Sequence, residues 1–261
     1  MNILDQIIEY KRLEVAEQKK TVSIRALEKT DLFSSKTLSL KNFLCDKNRT
    51  GIIAEFKRRS PSKGIINERS GVLEITRAYA KYGASGLSVL TDQNFFGGSN
   101  EDLATARVNS IPILRKDFMI DEYQVIEAKS LGADIILLIA ACLTPLEVKR
   151  LAQAAKGLGL EVLLELHDEN ETGHICDEVD LVGVNNRNLK TFTVDLEQSI
   201  RLAEKIGDGK LKIAESGISN PGNIIYLKKH GFDGFLIGEH FMKQDDPAAS
   251  FEKFVNELKE N

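Results

Sequence analysis

The sequence predicts an α/β fold, a single (β/α)8 TIM barrel with an N-terminal helical extension, and three observations carry that prediction. Short, near-continuous apolar runs alternate with amphipathic helical stretches from Gly51 to the C-terminus, as parallel strands buried on both faces require. The alternation repeats at a period of roughly 25 residues, the length of one βα unit, and eight such runs can be counted. No GxGxxG follows the first run, which counts against an open, doubly wound dinucleotide-binding sheet.

Residues 1–50 precede the first strand. They hold a helical stretch with Ile3, Ile7 and Ile8 on one face and Leu4 and Leu13 beside it, then a polar link, then LSLKNFLCD. This segment reads as an extension that caps one end of the barrel, making 1–261 a single domain. The strand runs are GIIAEFK, GLSVLTD, PILRKD, DIILLIA, EVLLELH, LVGVNNR, LKIAESG and GFLIGEH, with helices such as GVLEITRAYAKYG, DEYQVIEAKSLG, TPLEVKRLAQAAKGLG and DLEQSIRLAEKIG between them. Eight helices are expected. Gly83, Gly132, Gly159, Gly207 and Gly231 end helical stretches where a left-handed residue is favoured, and Asn109 is expected to do the same after the second helix. Thr144 before Pro145 and Asn220 before Pro221 read as N-caps followed by proline at the first helical position.

The bulk properties exclude several classes. A length of 261 residues at 42% hydrophobic content fits one large core, and a net charge of −4 with 28% charged residues is an ordinary soluble surface. The 35 Lys and Arg are scattered and form no basic stripe, so nucleic acid is not an expected partner. No apolar run approaches the roughly 20 residues a membrane span needs, and the N-terminus is amphipathic rather than signal-like. Cys45, Cys142 and Cys176 are odd in number and lack CxxC spacing, which argues against a disulfide framework and for a reducing, cytoplasmic setting. His167, His174, His230 and His240 show no metal-ligand spacing, so no metal is expected.

In this fold, active sites gather where the strands end. The first strand ends in Glu55–Phe56–Lys57, the third in Arg115–Lys116–Asp117, the fifth in Glu165–Leu166–His167, the sixth in Asn185–Asn186–Arg187, the seventh in Glu215–Ser216–Gly217. Strand alternation puts Glu55 and Lys57 on one face, and Asn185 and Arg187 likewise. A single such charge is easily a structural ion pair; several of both signs converging on one mouth are hard to explain without chemistry. RRSPSKG after the first strand, with Ser60 and Lys63, reads either as an exposed loop or as a lid over an anionic ligand. ESGI and IGEH, carrying Gly217, Ile237, Gly238 and Glu239, mark the seventh and eighth strand ends, where barrels often seat a phosphate.

AEFKRRSPSKG, LTDQNFFGGS, PILRKDFMIDEYQV, LLELHDE, VGVNNRNLKTF, IAESGI and FLIGEHFM, in this order, resemble the signatures of indole-3-glycerol-phosphate synthases from the first helix to the last. Phe56 and His240 are departures, in places where smaller residues are usual. The resemblance implies conversion of 1-(2-carboxyphenylamino)-1-deoxyribulose 5-phosphate to indole-3-glycerol phosphate with loss of CO2 and water. It implies Lys116 as general acid for ring closure, Glu165 as the carboxylate of the dehydration steps, and Lys57 as a second cation. Glu55 and Glu215 would orient those lysines, Asn185 would bond substrate hydroxyl or amine, and Arg187 would anchor an anionic group. Phosphate would rest on Ser216–Gly217 and Gly238–Glu239, with Ser60 and Lys63 as further contacts; Phe96, Phe118 and Leu189 would line an apolar ring slot. No cofactor is implied. The expected state is a monomer or weak homodimer. Two other readings stay open: another phosphate-binding barrel, such as a phosphoribosylanthranilate isomerase with a Cys/Asp pair, and a non-catalytic barrel. The first expects a cysteine ending the first strand, and the second a broken catalytic position.

Overall fold

The computed structural model describes residues 2–187 and 193–260. Its barrel strands, numbered here β1–β8, are Ile52–Phe56, Gly86–Leu90, Ile113–Lys116, Ile135–Ile139, Glu161–Leu166, Leu181–Asn185, Leu211–Glu215 and Gly234–Ile237. Each pairs in parallel with its sequence neighbours, and β8 closes on β1. The closed barrel has no free edge, so continuous apolar strands are safe within it.

Alternation along the strands sorts the core into two layers. Ile53, Leu114, Leu137, Leu163, Leu181, Ile213 and Leu236 fill the interior, while Ile52, Phe56, Ile113, Ile136, Val162, Val182 and Phe235 face the helices. By the same parity Glu55, Lys116, Glu165, Asn185 and Glu215 continue the interior rows at the mouth. Phe56, one of the two departures, points into the outer layer, away from any site.

Helices Val72–Lys81, Asn100–Ala106, Glu122–Ser130, Pro145–Gly157, Leu196–Lys205, Pro221–Lys229 and Pro247–Glu260 form the outer ring. The fifth connection departs from expectation: after β5 only a 3-10 stretch, Glu169–His174, is present. The sequence there, ENETGHICDE, is short, acidic and without an apolar helical stripe. Gly83, Gly132, Gly159 and Gly231 take positive φ as expected, but Gly207 and Asn109 do not. After Leu196–Lys205 the left-handed residue is Gly209 instead, and Asn109 folds its Nδ2 back to the Ala106 carbonyl at 2.8 Å. Thr144 and Asn220 cap as expected, Thr144 in a reciprocal box with Glu147.

The N-terminal extension reaches both ends of the barrel rather than one. Helix Leu40–Cys45 closes the N-terminal end, with Leu40 fully buried among the interior residues. Helix Ile3–Thr21 lies at the other end, where Ile3, Leu4 and Ile7 line the mouth.

Candidate active site at the C-terminal mouth

The mouth opens into a cavity of about 260 Å³. Strand register sets its floor: Leu90 pairs with Lys116, Ile139 with Glu165, and Asn185 with Glu215, so these side chains converge at one level. Lys116 Nζ lies 2.9 Å from Glu165 Oε2 and 2.9 Å from Glu215 Oε2, a cation held between two buried carboxylates. Lys57 Nζ stands 2.6 Å from Glu55 Oε1. Asn185 Nδ2 donates to Glu165 Oε1 at 2.9 Å, leaving that carboxylate fixed at both oxygens. Two glycines make room for the acids. A Cβ on Gly183 would fall 2.1 Å from Glu215 Oε1, and one on Gly238 would fall 2.5 Å from Glu55 Oε1.

Electrostatics divides the roles. Burial opposes the charge on Lys116, but Glu165, Glu215 and Glu55 outweigh it and hold its pKa above the ordinary lysine value. Burial likewise opposes ionised Glu165, and Lys116 and His167 outweigh it, so Glu165 stays well below the usual carboxylate range. Glu215 goes the other way despite the same lysine. Burial, reinforced by the neighbouring charges of Glu165 and Glu55, pushes it up to about 7. Its Oε1 meets no hydrogen-bond donor among the described residues, which fits a group that shares a proton near neutrality. The trio therefore offers a permanent cation, a permanent carboxylate, and a carboxyl that can hold a proton.

Around this floor the walls are Phe96 and Phe118, whose ring centroids are 5.9 Å apart, together with Ser60 and Ile237. Leu189, the third expected slot residue, lies outside the described residues. Ser216 (φ 67°) and Gly217 (φ 71°) form a left-handed pair after β7, and Gly238–Glu239 opens the short helix after β8; both lie against the cavity. Arg187 and Glu239, expected to face substrate, are bonded to each other at 2.9 Å, with Lys63 at 3.9 Å from Glu239. Together they tie the loop after β1 to the loops after β6 and β8.

Two residues beyond the expected set also stand at the mouth. His167 Nε2 approaches Glu165 Oε1 at 3.1 Å and Nδ1 approaches Glu171 at 3.7 Å. Burial disfavours its charge, yet those two carboxylates push its pKa up to about 10. Asn186 donates to the Ser216 carbonyl at 2.7 Å and so fixes the left-handed turn. Both sit at strand ends and could have been found there, but neither residue type advertised a role. Among the described residues no three His, Cys, Asp or Glu are arranged to hold a metal ion, and no helix is long and apolar enough to cross a membrane.

A closed parallel barrel with lysine–glutamate pairs facing a concave mouth defines a TIM-barrel enzyme of the acid–base kind. The profile of the indole-3-glycerol phosphate synthase family matches residues 4–254. The chain is 47% identical over 258 residues to the indole-3-glycerol phosphate synthase of Bacteroides thetaiotaomicron, spanning 98% of this chain and 99% of that one. It is 44% identical over 245 residues to that of Campylobacter fetus subsp. fetus, spanning 93% and 95%. The fold also resembles a chain from the tryptophan synthase complex of Pyrococcus furiosus, with a TM-score of 0.62 over 82% of this chain and 99% of that one, at 15% identity. The chain belongs to the indole-3-glycerol phosphate synthase family, carboxy-lyases of tryptophan biosynthesis.

Proposed function

We propose that this chain closes and decarboxylates 1-(2-carboxyphenylamino)-1-deoxyribulose 5-phosphate with Lys116 as the acid of ring closure. The position of Lys116, 2.9 Å from each of two buried carboxylates, carries this reading. When the ring carbon bearing the carboxylate attacks the ribulose carbonyl, charge develops on that oxygen. A preorganised cation in a dry site stabilises the charge strongly. An alkoxide is a stronger base than any amine, so proton transfer from Lys116 runs downhill even with its raised pKa. Loss of CO2 returns electrons to the ring, and expulsion of the new hydroxyl as water then needs a base for the ring-adjacent proton. Glu165, held ionised and clamped by Asn185, is that base. Lys57, oriented by Glu55, supplies a second positive charge for the anthranilate carboxylate and donates the proton with which the hydroxyl departs as water.

Glu215 keeps Lys116 in place while itself able to carry a proton. Phe96 and Phe118 receive the benzoate ring. The phosphate rests against Ser216–Gly217 and Gly238–Glu239, with Ser60 and Arg187 at the rim. Neither rival reading finds support at the first strand, which ends in Glu55 and Lys57 rather than in a cysteine. Residues 1–261 act as one domain in the cytoplasm, as a monomer or weak homodimer; the three unpaired cysteines support a reducing setting. The test is turnover of this substrate, followed by indole fluorescence. Lys116→Met should lose about 10²–10⁴ in rate while remaining folded, the usual cost of removing a general acid. Normal turnover by that variant would overturn the first step.

A further inference from the structure

Lys11 belongs to the N-terminal helix Ile3–Thr21, yet its side chain is fully buried. A buried ammonium is tolerated only where it is paired. Lys11 Nζ lies 2.9 Å from Asp117 Oδ1, 3.1 Å from Asp92 Oδ2 and 3.0 Å from Glu14 Oε1. Asp92 and Asp117 stand just beyond the ends of β2 and β3, and each also holds the backbone of a cavity phenylalanine. Asp92 Oδ1 accepts the amides of Phe95 at 2.8 Å and Phe96 at 3.2 Å. Asp117 Oδ1 accepts the amide of Phe118 at 2.8 Å. The rings of Phe96 and Phe118, packed on each other with centroids 5.9 Å apart, form one aromatic wall of the cavity.

Fastening a helix to the barrel needs no such arrangement, and the helix already has an ion pair of its own in Lys19–Asp121. The far oxygen of Asp92 meets no donor in hydrogen-bonding geometry among the described residues, so the charge of Lys11 is what compensates it. On the other side, Thr91 donates to Asp117 Oδ2 at 2.5 Å and Arg115 approaches it at 3.4 Å, which makes Asp117 a stiff mount. One cation thus joins two carboxylates, each of which sets one ring of that wall. We propose that Lys11 is a positioning residue for the aromatic half of the substrate, holding Phe96 and Phe118 in register through Asp92 and Asp117. This rests on the reading of Phe96 and Phe118 as the ring slot.

Two fragments probe the two halves of the cavity: 2-aminobenzoate for the slot and inorganic phosphate for the loops after β7 and β8, both measured as competitive inhibitors. Lys11→Met keeps the stem and removes the charge. It should raise the inhibition constant of 2-aminobenzoate about tenfold and leave that of phosphate within about twofold, since small misplacements cost affinity only where they occur. Asp92→Asn keeps the capping oxygen and perturbs the fold least, so it decides the matter should Lys11→Met not fold. It should show the same selectivity at about threefold. Phe118→Ala is the reference for the slot. If 2-aminobenzoate binds that variant normally, the slot reading falls and the proposal with it. If Phe118→Ala weakens 2-aminobenzoate but Lys11→Met and Asp92→Asn match the parent enzyme, the role of Lys11 alone is overturned. Parallel weakening of both inhibitors would mark general loosening and would overturn it too.

Discussion

Glu215 is buried beside a lysine and yet is raised to about 7, because burial and two further carboxylates outweigh that single cation. A raised acid binds its proton more tightly folded than unfolded. Its contribution to stability is complete below its unfolded value of 4.5 and is lost as pH climbs through about 7. Comparing unfolding midpoints of the parent and Glu215→Gln from pH 5 to 9 isolates this term. The parent should lose stability relative to the variant across neutrality, and a difference flat with pH would show that Glu215 does not titrate there. Cysteine chemistry gives a second expectation at this scale. Burial pushes the Cys142 thiol up to about 12, and the residue lines a cleft beside the N-terminal helix rather than the mouth. Alkylation at pH 7.5 should therefore leave turnover essentially unchanged; loss of activity in a folded, alkylated enzyme would contradict this. Glu55, Lys116 and Glu165 were legible as a set, because several charges of both signs ending apolar strands at one mouth have no cheap structural explanation, whereas any one of them alone does. Lys11 was not legible: three residues from Glu14 on an amphipathic helix, it has the pattern of a solvated surface pair, and only tertiary packing buries it.

Among elements, the loops after β6 and β7 work as one unit. Ser216 is the one non-glycine with positive φ among the described residues, and a Cβ on Gly217 would fall 2.3 Å from Val194 Cγ1. That conformation is held by the Asn186 amide on the Ser216 carbonyl, and the Asn186 backbone donates to Glu215 at 2.8 Å. Asn186→Ala should therefore weaken phosphate inhibition by about tenfold, the worth of one buried hydrogen bond of roughly 1–1.5 kcal/mol, with little effect on 2-aminobenzoate. An unchanged phosphate constant would remove Asn186 from the cradle. The seventh and eighth strand ends were readable from ESGI and IGEH, since glycine beside a strand end marks close backbone approach. What the motifs could not convey was the second layer that sets the turn. Helix ends fared similarly: Thr144–Pro145 and Asn220–Pro221 are local capping signals, whereas the left-handed position after Leu196–Lys205 falls two residues later than glycine placement suggested.

Across the whole molecule the two barrel ends separate stability from chemistry. At the N-terminal end Leu40 plugs the interior, and its Cδ1 leaves no room for a side chain at Gly86, whose Cβ would lie 2.8 Å away. The plug is fastened by polar groups at strand starts: Glu161 accepts the amide of Leu40 at 2.8 Å, and Asp134 accepts that of Leu38 at 2.7 Å. Glu161 opens the same strand that carries Glu165 at the mouth, with three apolar residues between them. A cavity opened at Leu40 is therefore separated from the charged groups of the mouth by packed interior side chains of the strands. Leu40→Ala should cost about 2–5 kcal/mol of unfolding free energy, the range for emptying a tightly enclosed leucine site. Turnover per folded molecule at a temperature well below the transition should be unchanged, because Lys116, Glu165 and Glu215 are positioned by ion pairs among themselves. Chemical denaturation alongside steady-state rates decides between two pictures. If the rate falls in step with stability, the barrel transmits strain along its strands and the mouth depends on the plug. If the rate holds, the ion pairs of the mouth are sufficient to keep the reacting geometry.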